Sequence, residues 1–348
     1  MNLKSIGYRP VVEASFCALE AEGCEPGRVA RTAGDRALVW TASGERMLLV
    51  PRGLRERAGG LVAGDWVAWH DGRGAVEAVL PRFSCFERRR PGRAERTQVV
   101  AANVDIAVVV MALDADFSVR RLSRYLALAH GHQVEACVLL TKAALALDVE
   151  ARLREARIAA RSVPVHAVDV LAGVGLDAVS ALVEEGRTLA LLGSSGVGKS
   201  TLVNHWLGAG EHRVPTAEIR ASDGTGKHTT THRELHRLPG GGLVLDTPGL
   251  REVGLVGGDD GVERTFDDIA EVARGCRFRD CLHQGEPGCA VARAIEGGAL
   301  DAERVAEAQG LGRERTRAER RAWERDLKTK SRQASRALRE VLARKGRT

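Results

Sequence analysis

Residues Gly193-Ser-Ser-Gly-Val-Gly-Lys-Ser200 follow the pattern G-x-x-x-x-G-K-[ST], a spacing suited to cradling phosphates. Gly193, Ser194, Ser195, Gly196, Val197 and Gly198 supply a loop whose backbone N–H groups curl around an anion. A helix opening at Ser200 and Thr201 adds its N-terminal partial charge. Lys199 is placed to bridge β- and γ-phosphates as the catalytic cation, and Ser200 to ligate Mg2+. About 46 residues further on, Leu243-Val-Leu-Asp-Thr-Pro-Gly249 ends an apolar stretch in the pattern D-x-x-G. There Asp246 would hold Mg2+ through water and the Gly249 N–H would meet the γ-phosphate. Between the two lies Gly226-Lys-His-Thr-Thr-Thr-His232. One of Thr229, Thr230 and Thr231 completes the Mg2+ shell of such a switch, Thr230 being the one assigned. The residue after Gly249 is Leu250, which cannot orient an attacking water. His228 is the catalytic candidate for that task, because imidazole orients water near neutral pH. Slow intrinsic hydrolysis is expected.

A nucleotide switch also needs a base-reading loop, usually N/T-K-x-D at a strand end. Leu139-Leu-Thr-Lys-Ala-Ala-Leu145 has the right form, with Thr141 and Lys142 as base contacts, but precedes the phosphate loop by some 50 residues. That order is a circular permutation. Ala144 stands where the pattern has Asp, the carboxylate that takes two hydrogen bonds from guanine N1 and N2. Asp148, a helical turn on, is a poor substitute. If another residue reads the base, Asp169 is the first suspect. Weakened discrimination of GTP from ITP is expected. A separate cluster, Cys276-x4-Cys281-x-His283-x5-Cys289, offers three thiolates and one imidazole, the donor set of a closed structural zinc site.

These groups need elements to hold them. Short strands at 28–32, 36–41, 46–51 and 64–69, separated by turn signals, read as a small closed barrel, an OB-fold or an SH3-like one. Apolar strands at 105–113, 135–141, 164–170, 187–193 and 242–246 alternate with helical stretches at 119–130 and 148–160, which implies a doubly wound parallel sheet. The remaining cysteines, Cys17, Cys24, Cys85 and Cys137, are scattered and read as free thiols or small core residues. The longest apolar run, 106–113, is far below the roughly 20 residues of a membrane span. A cytoplasmic protein with no membrane partner is expected.

The net charge of +6 is unevenly placed: residues 313–348 carry +9, and five arginines fall within 88–96. Clustered Arg and Lys are the footprint of a phosphate-backbone partner. Trp323, Leu327, Ala334, Leu338 and Val341 share roughly one face of a helix in that tail.

Taken together with Val62-Ala-Gly-Asp-Trp-Val67, Val79-Leu-Pro-Arg82, Gln98-Val-Val-Ala-Ala-Asn-Val-Asp105, His228-Thr-Thr-Thr-His-Arg-Glu-Leu235 and Asp246-Thr-Pro-Gly-Leu-Arg-Glu252, these features resemble the RsgA (YjeQ) family along nearly the whole chain. The resemblance implies an α/β protein. Its parts would be an N-terminal OB-fold β-barrel over 1–97, a circularly permuted P-loop GTPase domain over 98–258, and a C-terminal zinc-binding domain with a basic helical tail over 259–348. It also implies a GTPase of late small (30S) ribosomal subunit maturation. Such a protein binds 16S rRNA in the GTP state, leaves on hydrolysis to GDP and works as a monomer with one Zn2+ per chain. Ala144 and Asp169 motivate a rival, an RNA-binding assembly factor that ignores the nucleotide, or an NTPase of relaxed specificity. A plain P-loop ATPase or kinase fits less well, because the Thr229–Thr231 and Asp246–Gly249 segments are switch features.

Overall fold

The computed structural model describes residues 2–19, 23–56, 60–90, 93–114, 117–208, 234–246, 260–314 and 316. The chain divides into two compact units, Met1–Arg89 with Thr97–Asp267, and Arg90–Arg96 with Asp268–Thr348.

After a short helix α1 (Pro10–Cys17), the first unit forms five strands, β1 (Cys24–Ala33), β2 (Arg36–Thr41), β3 (Gly44–Leu49), β4 (Trp66–His70) and β5 (Ala75–Val79), with α2 (Arg52–Glu56) between β3 and β4. Antiparallel β1–β2, β2–β3, β4–β5 and β1–β4 ladders are closed by a parallel β3–β5 bridge at Leu49 and Ala75. This five-stranded closed barrel has the OB-fold order. Its interior is Val29, Ala37, Val39, Leu48, Val67, Trp69 and Val76. The expected strands are all present, and β1 starts earlier than its alternation suggested because its first half pairs with β4.

A hairpin of β6 (Cys85–Arg90) and β7 (Arg93–Ala102) follows. The arginine cluster read from the sequence falls within these two strands, elements the charge pattern had hidden. Next come β8 (Ile106–Ala112), α3 (Val119–Gly131), β9 (Glu135–Thr141), α4 (Val149–Ala160), β10 (Val165–Ala167), α5 (Leu176–Ser180), β11 (Thr188–Leu192), α6 (Lys199–Leu207), β12 (Glu234–Arg237) and β13 (Leu243–Asp246). Their spatial order is β10-β9-β8-β11-β13-β12, parallel except for β12. Every residue of β8 and of β11 is buried, as expected where helices cover both faces of a parallel sheet. Consecutive strands β10 and β11 lie three places apart in the sheet, which is the permutation in physical form. Ser118 and Asp148 cap α3 and α4, accepting from the N–H groups of Arg121 and Ala151.

The barrel and this sheet are continuous. At a bulge between Val29 and Arg31, β1 passes out of the barrel, and Arg31 pairs with Glu234 of β12. A polar cluster fixes the junction. Arg82 holds the fully buried Asp65 through Nε (2.6 Å) and Nη2 (2.8 Å) and donates to the Gly60 carbonyl. Asp65 also accepts from the Val62 N–H. Asn103, at φ +55°, donates to the Gly64 carbonyl and accepts from the Phe83 N–H. The motifs at 62–67, 79–82 and 98–105 are therefore one interaction site.

Beyond the sheet are α7 (Asp260–Thr265), α8 (Asp267–Ala273) and α9 (Ala290–Glu296), and residues 302–314 are helical. The amphipathic face expected over 323–341 lies outside the described residues. No helix among the described residues is long and apolar enough to cross a membrane.

Removing one member of a buried ion pair strands the other charge. Arg82→Met is expected to lose about 3–5 kcal/mol in urea unfolding. Arg52→Met, which breaks an exposed pair with Glu56, should lose well under ~1 kcal/mol.

Candidate functional site

Strand β11 delivers the chain to Gly193 at the centre of the sheet, between β8 and β13. Gly193 sits at φ +151°, and a Cβ there would come within 2.3 Å of the Val110 carbonyl oxygen. The turn through Gly196 (φ +79°) and Gly198 (φ +94°) also uses backbone conformations that glycine adopts freely. Helix α6 then starts at Lys199, seated by buried Leu202 and Val203 and by a hydrogen bond from Trp206 Nε1 to the Val179 carbonyl (3.1 Å). The Lys199 ammonium donates to the carbonyls of Gly193 (2.8 Å) and Ser194. Its charge is thus held over the loop, where a bound polyphosphate would meet it. Arg121 Nη1 of α3 donates to Ser194 Oγ (2.8 Å). That second cation at the loop was missed in the sequence, since 73 residues separate the pair.

The base-side loops lie beside this one. Thr141, at the end of β9, donates its hydroxyl to the Val197 carbonyl (2.6 Å), tying the loop at 141–146 to the phosphate loop. Lys142 is at φ +59°, and its ammonium pairs with Asp114 (2.8 Å). Asp148 caps α4, its Oδ1 accepting from the Ala151 N–H (2.8 Å). Asp169 is buried, and its Oδ2 accepts from the Ala144 N–H (3.2 Å). The sequence brought Thr141, Lys142 and the 193–201 loop to one place, and the structure places them together.

Asp246 ends β13, one strand from β11, with its backbone paired to Glu234. Its D-x-x-G partner Gly249, together with Leu250, His228, Thr229, Thr230 and Thr231, lies outside the described residues.

In the second unit, Cys276 Sγ lies 3.6 Å from His283 Nδ1 and 4.0 Å from Cys289 Sγ, and Cys289 Sγ lies 3.5 Å from His283 Nδ1. The four ligand atoms, Cys281 included, all fall within 4.8 Å of one another. Those separations suit four ligands around one tetrahedral ion with bonds of about 2.0–2.3 Å. Desolvation opposes ionisation of Cys276, but the N–H groups of Val291 and Ala290 together with the Cys281 and Cys289 thiols lower it below its ordinary range. Cys289 caps α9, its sulfur accepting from the Ala292 N–H. Two supporting residues were not read from the sequence. Glu286 accepts from the N–H groups of Leu282 (2.9 Å) and Gln284 (2.6 Å), and Gln309 donates to the carbonyls of Leu282 and His283. Together they hold the loop that carries the imidazole, as supporting residues of a metal centre do.

Residues 79–256 match the family model described as RsgA GTPase. A relative from Opitutus terrae, "Small ribosomal subunit biogenesis GTPase RsgA", is 41% identical, with 92% of each chain covered. One of the same name from Streptomyces coelicolor is 42% identical over 90% of this chain and 87% of its own. Two solved structures share the fold at 24% identity. YjeQ from Thermotoga maritima has a TM-score of 0.61, covering 83% of this chain and 97% of its own. YloQ, described as a circularly permuted GTPase, has a TM-score of 0.62, covering 85% and 96%. With its phosphate loop, its strand order and this likeness over nine-tenths of its length, the chain belongs to the RsgA GTPase family.

Proposed function

We propose that this chain is a GTPase of small ribosomal subunit biogenesis that binds the subunit with GTP and leaves on hydrolysis. The observation that carries the reading is the glycine loop of 193–198 between buried β11 and α6, one strand from Asp246, in a permuted sheet shared with relatives of that name. Backbone N–H groups of Gly193 to Thr201 would bind the β-phosphate. Lys199 would neutralise charge developing between the β- and γ-phosphates. Ser200, Thr230 and Asp246 would hold Mg2+, which supplies further charge neutralisation on those phosphates, and the Gly249 N–H would sense the γ-phosphate. His228 would orient the water that Leu250 cannot. Thr141 and Lys142 would flank the base. Cys276, Cys281, His283 and Cys289 would hold one structural Zn2+. The organisation is three-part, 1–97, 98–258 and 259–348, with the basic tail as an arm on 16S rRNA. The protein acts as a cytoplasmic monomer.

The test is co-sedimentation with small subunits in GDP, GTP, a non-hydrolysable GTP analogue and the ATP equivalents. Tightest binding with the GTP analogue is expected. Binding that ignores the nucleotide would overturn the switch and favour a passive RNA-binding factor.

Elemental analysis of protein prepared without chelator should give one zinc per chain. Cys281→Ser should lose the metal and loosen residues 270–290 while nucleotide binding persists, since metal binding and local folding are coupled. Deleting 313–348, which carries +9, should weaken subunit binding. It should also lower the log–log salt slope by roughly 0.7–0.9 for each phosphate that the tail no longer neutralises. An unchanged slope would show that the tail is not an rRNA arm.

A further inference from the structure

We propose that Asp169 is the base-reading carboxylate of this chain. It reads a single donor, the N1–H that guanine and hypoxanthine share, so the site selects 6-oxopurines over adenine and barely separates guanine from hypoxanthine. The proposal rests on the nucleotide-site reading above and goes beyond it in naming the residue and the resolution of base choice.

The geometry begins at Ala144, whose methyl group offers no acceptor at the position where the base-reading pattern has Asp. Its backbone N–H donates to Asp169 Oδ2 at 3.2 Å. A carboxylate oxygen from the neighbouring loop therefore stands within the radius that a carboxylate on residue 144 would itself span. The two loops are held in this relation. Strands β9 and β10 pair in parallel, the Val168 N–H donates to the Leu140 carbonyl (2.8 Å), and the Ala143 N–H to that of Val168 (3.4 Å). Thr141 in turn anchors the first loop to Val197 of the phosphate loop, so the carboxylate keeps a fixed place relative to the phosphates.

Asp169 is also locked in itself. Its backbone exchanges hydrogen bonds with Val174 (2.8 and 2.9 Å), and its Oδ1 accepts from the N–H groups of Leu171 (3.1 Å) and Ala172 (3.0 Å). The residue is 8% exposed. A carboxylate has about four lone-pair sites. Two on Oδ1 and one on Oδ2 are taken by these backbone donors, which leaves one on Oδ2. Guanine presents two adjacent donors, N1–H and the N2 amine; one is read and the amine stays with water. Hypoxanthine presents N1–H alone and loses nothing. Adenine turns an unprotonated N1 to the same place, and two lone pairs then face each other. Lys142 does not alter the count, because its ammonium is paired with Asp114.

A turn-forming role for Asp169 makes a different forecast, and competition titration with GDP, IDP and ADP separates the two. In the unaltered protein GDP and IDP should bind within tenfold of each other, and both at least tenfold tighter than ADP. Asp169→Asn keeps an oxygen for the turn with Leu171 and Ala172 but replaces Oδ2, the acceptor of the Ala144 N–H, with an NH2 donor at the reading position. It should lower the GDP-to-ADP ratio by at least about tenfold, the size of one hydrogen bond to a charged acceptor. Ala144→Asp adds the second acceptor and should raise GDP over IDP by at least about tenfold, whether or not the Asn variant folds. Unaltered protein that prefers GDP to IDP by more than tenfold, or ADP within tenfold of GDP, overturns the proposal. So does an Asn variant that binds with unchanged ratios, since the carboxylate then only makes the turn. If neither GDP, IDP nor ADP binds at all, the nucleotide-site reading itself falls. Altered or flat ratios with intact binding bear on Asp169 alone.

Discussion

A fully buried guanidinium holds this molecule's first unit together. Arg28 is fully buried on β1. Its Nη1 donates to the Ile6 carbonyl (2.6 Å), its Nη2 to the Asn103 carbonyl (3.0 Å) and to Thr188 Oγ1 (2.8 Å), and it lies 5.4 Å from the Trp66 ring. Desolvation pulls its pKa down to about 9, well below the usual guanidinium range, with the Asp105 carboxylate opposing that pull. A charge in such a place is tolerable only when every surrounding segment supplies its acceptor. The N-terminal turn, the barrel, the junction at Asn103 and the start of β11 are thereby obliged to meet. The fit leaves no room for a side chain nearby: a Cβ on Gly7, at φ +88°, would fall 2.5 Å from Arg28 Nη1 and 2.7 Å from the Gly186 carbonyl.

The consequence for function is positional. Thr188, at one end of β11, bonds to Arg28, and its N–H donates to Asp105, which also pairs with Arg9. Gly193, at the other end, opens the phosphate loop. The same five-residue strand thus carries the barrel's anchor and the nucleotide's cradle. The chain on both sides of the switch segments is fastened as well. Strand β12 is bonded to the barrel strand β1. Helix α7 packs on α3 so closely that a Cβ on Gly261 would come 2.3 Å from the Ala127 carbonyl, with His130 bonded to Thr265 beside it. Permutation makes β13, which ends at Asp246, the last strand described, directly upstream in the chain of the helices that lead to the second unit.

What could be read from the sequence was chemistry that is local in the chain. The phosphate loop spans eight residues and the Cys/His cluster fourteen, so spacing alone carries their geometry. The spacing of short strands and turns, and then of apolar strands and helical stretches, likewise carried the two folds. The contacts that escaped join distant positions: Arg28 to Thr188, Arg121 to Ser194, Asp65 to Arg82. No spacing rule links such pairs, and only the sheet order brings them together. The Ala144 departure shows the point sharply. Along the chain it is a missing carboxylate; across the sheet, another carboxylate is bonded to that residue's own N–H.

The second unit depends on a different constraint. Among its described residues the buried apolar side chains are Ile269, Cys289, Val291, Val305 and Leu311, a small core for so long a segment. Small domains of this kind gain order from staples rather than from buried area. Arg304 supplies one, a two-point pair with Asp268 (2.9 and 3.1 Å). The Cys/His centre supplies the other. Cys289 is both a member of that cluster, which could hold a metal ion, and the cap of α9, so the helix start and the cluster share one sulfur. His283 reaches the cluster only because its backbone takes φ +59°, a conformation that costs a non-glycine residue about 1–3 kcal/mol. The bonds from Glu286 and Gln309 to that loop offset the cost locally, and a metal bound by the imidazole would offset the rest. Cluster geometry and fold in this unit therefore specify each other.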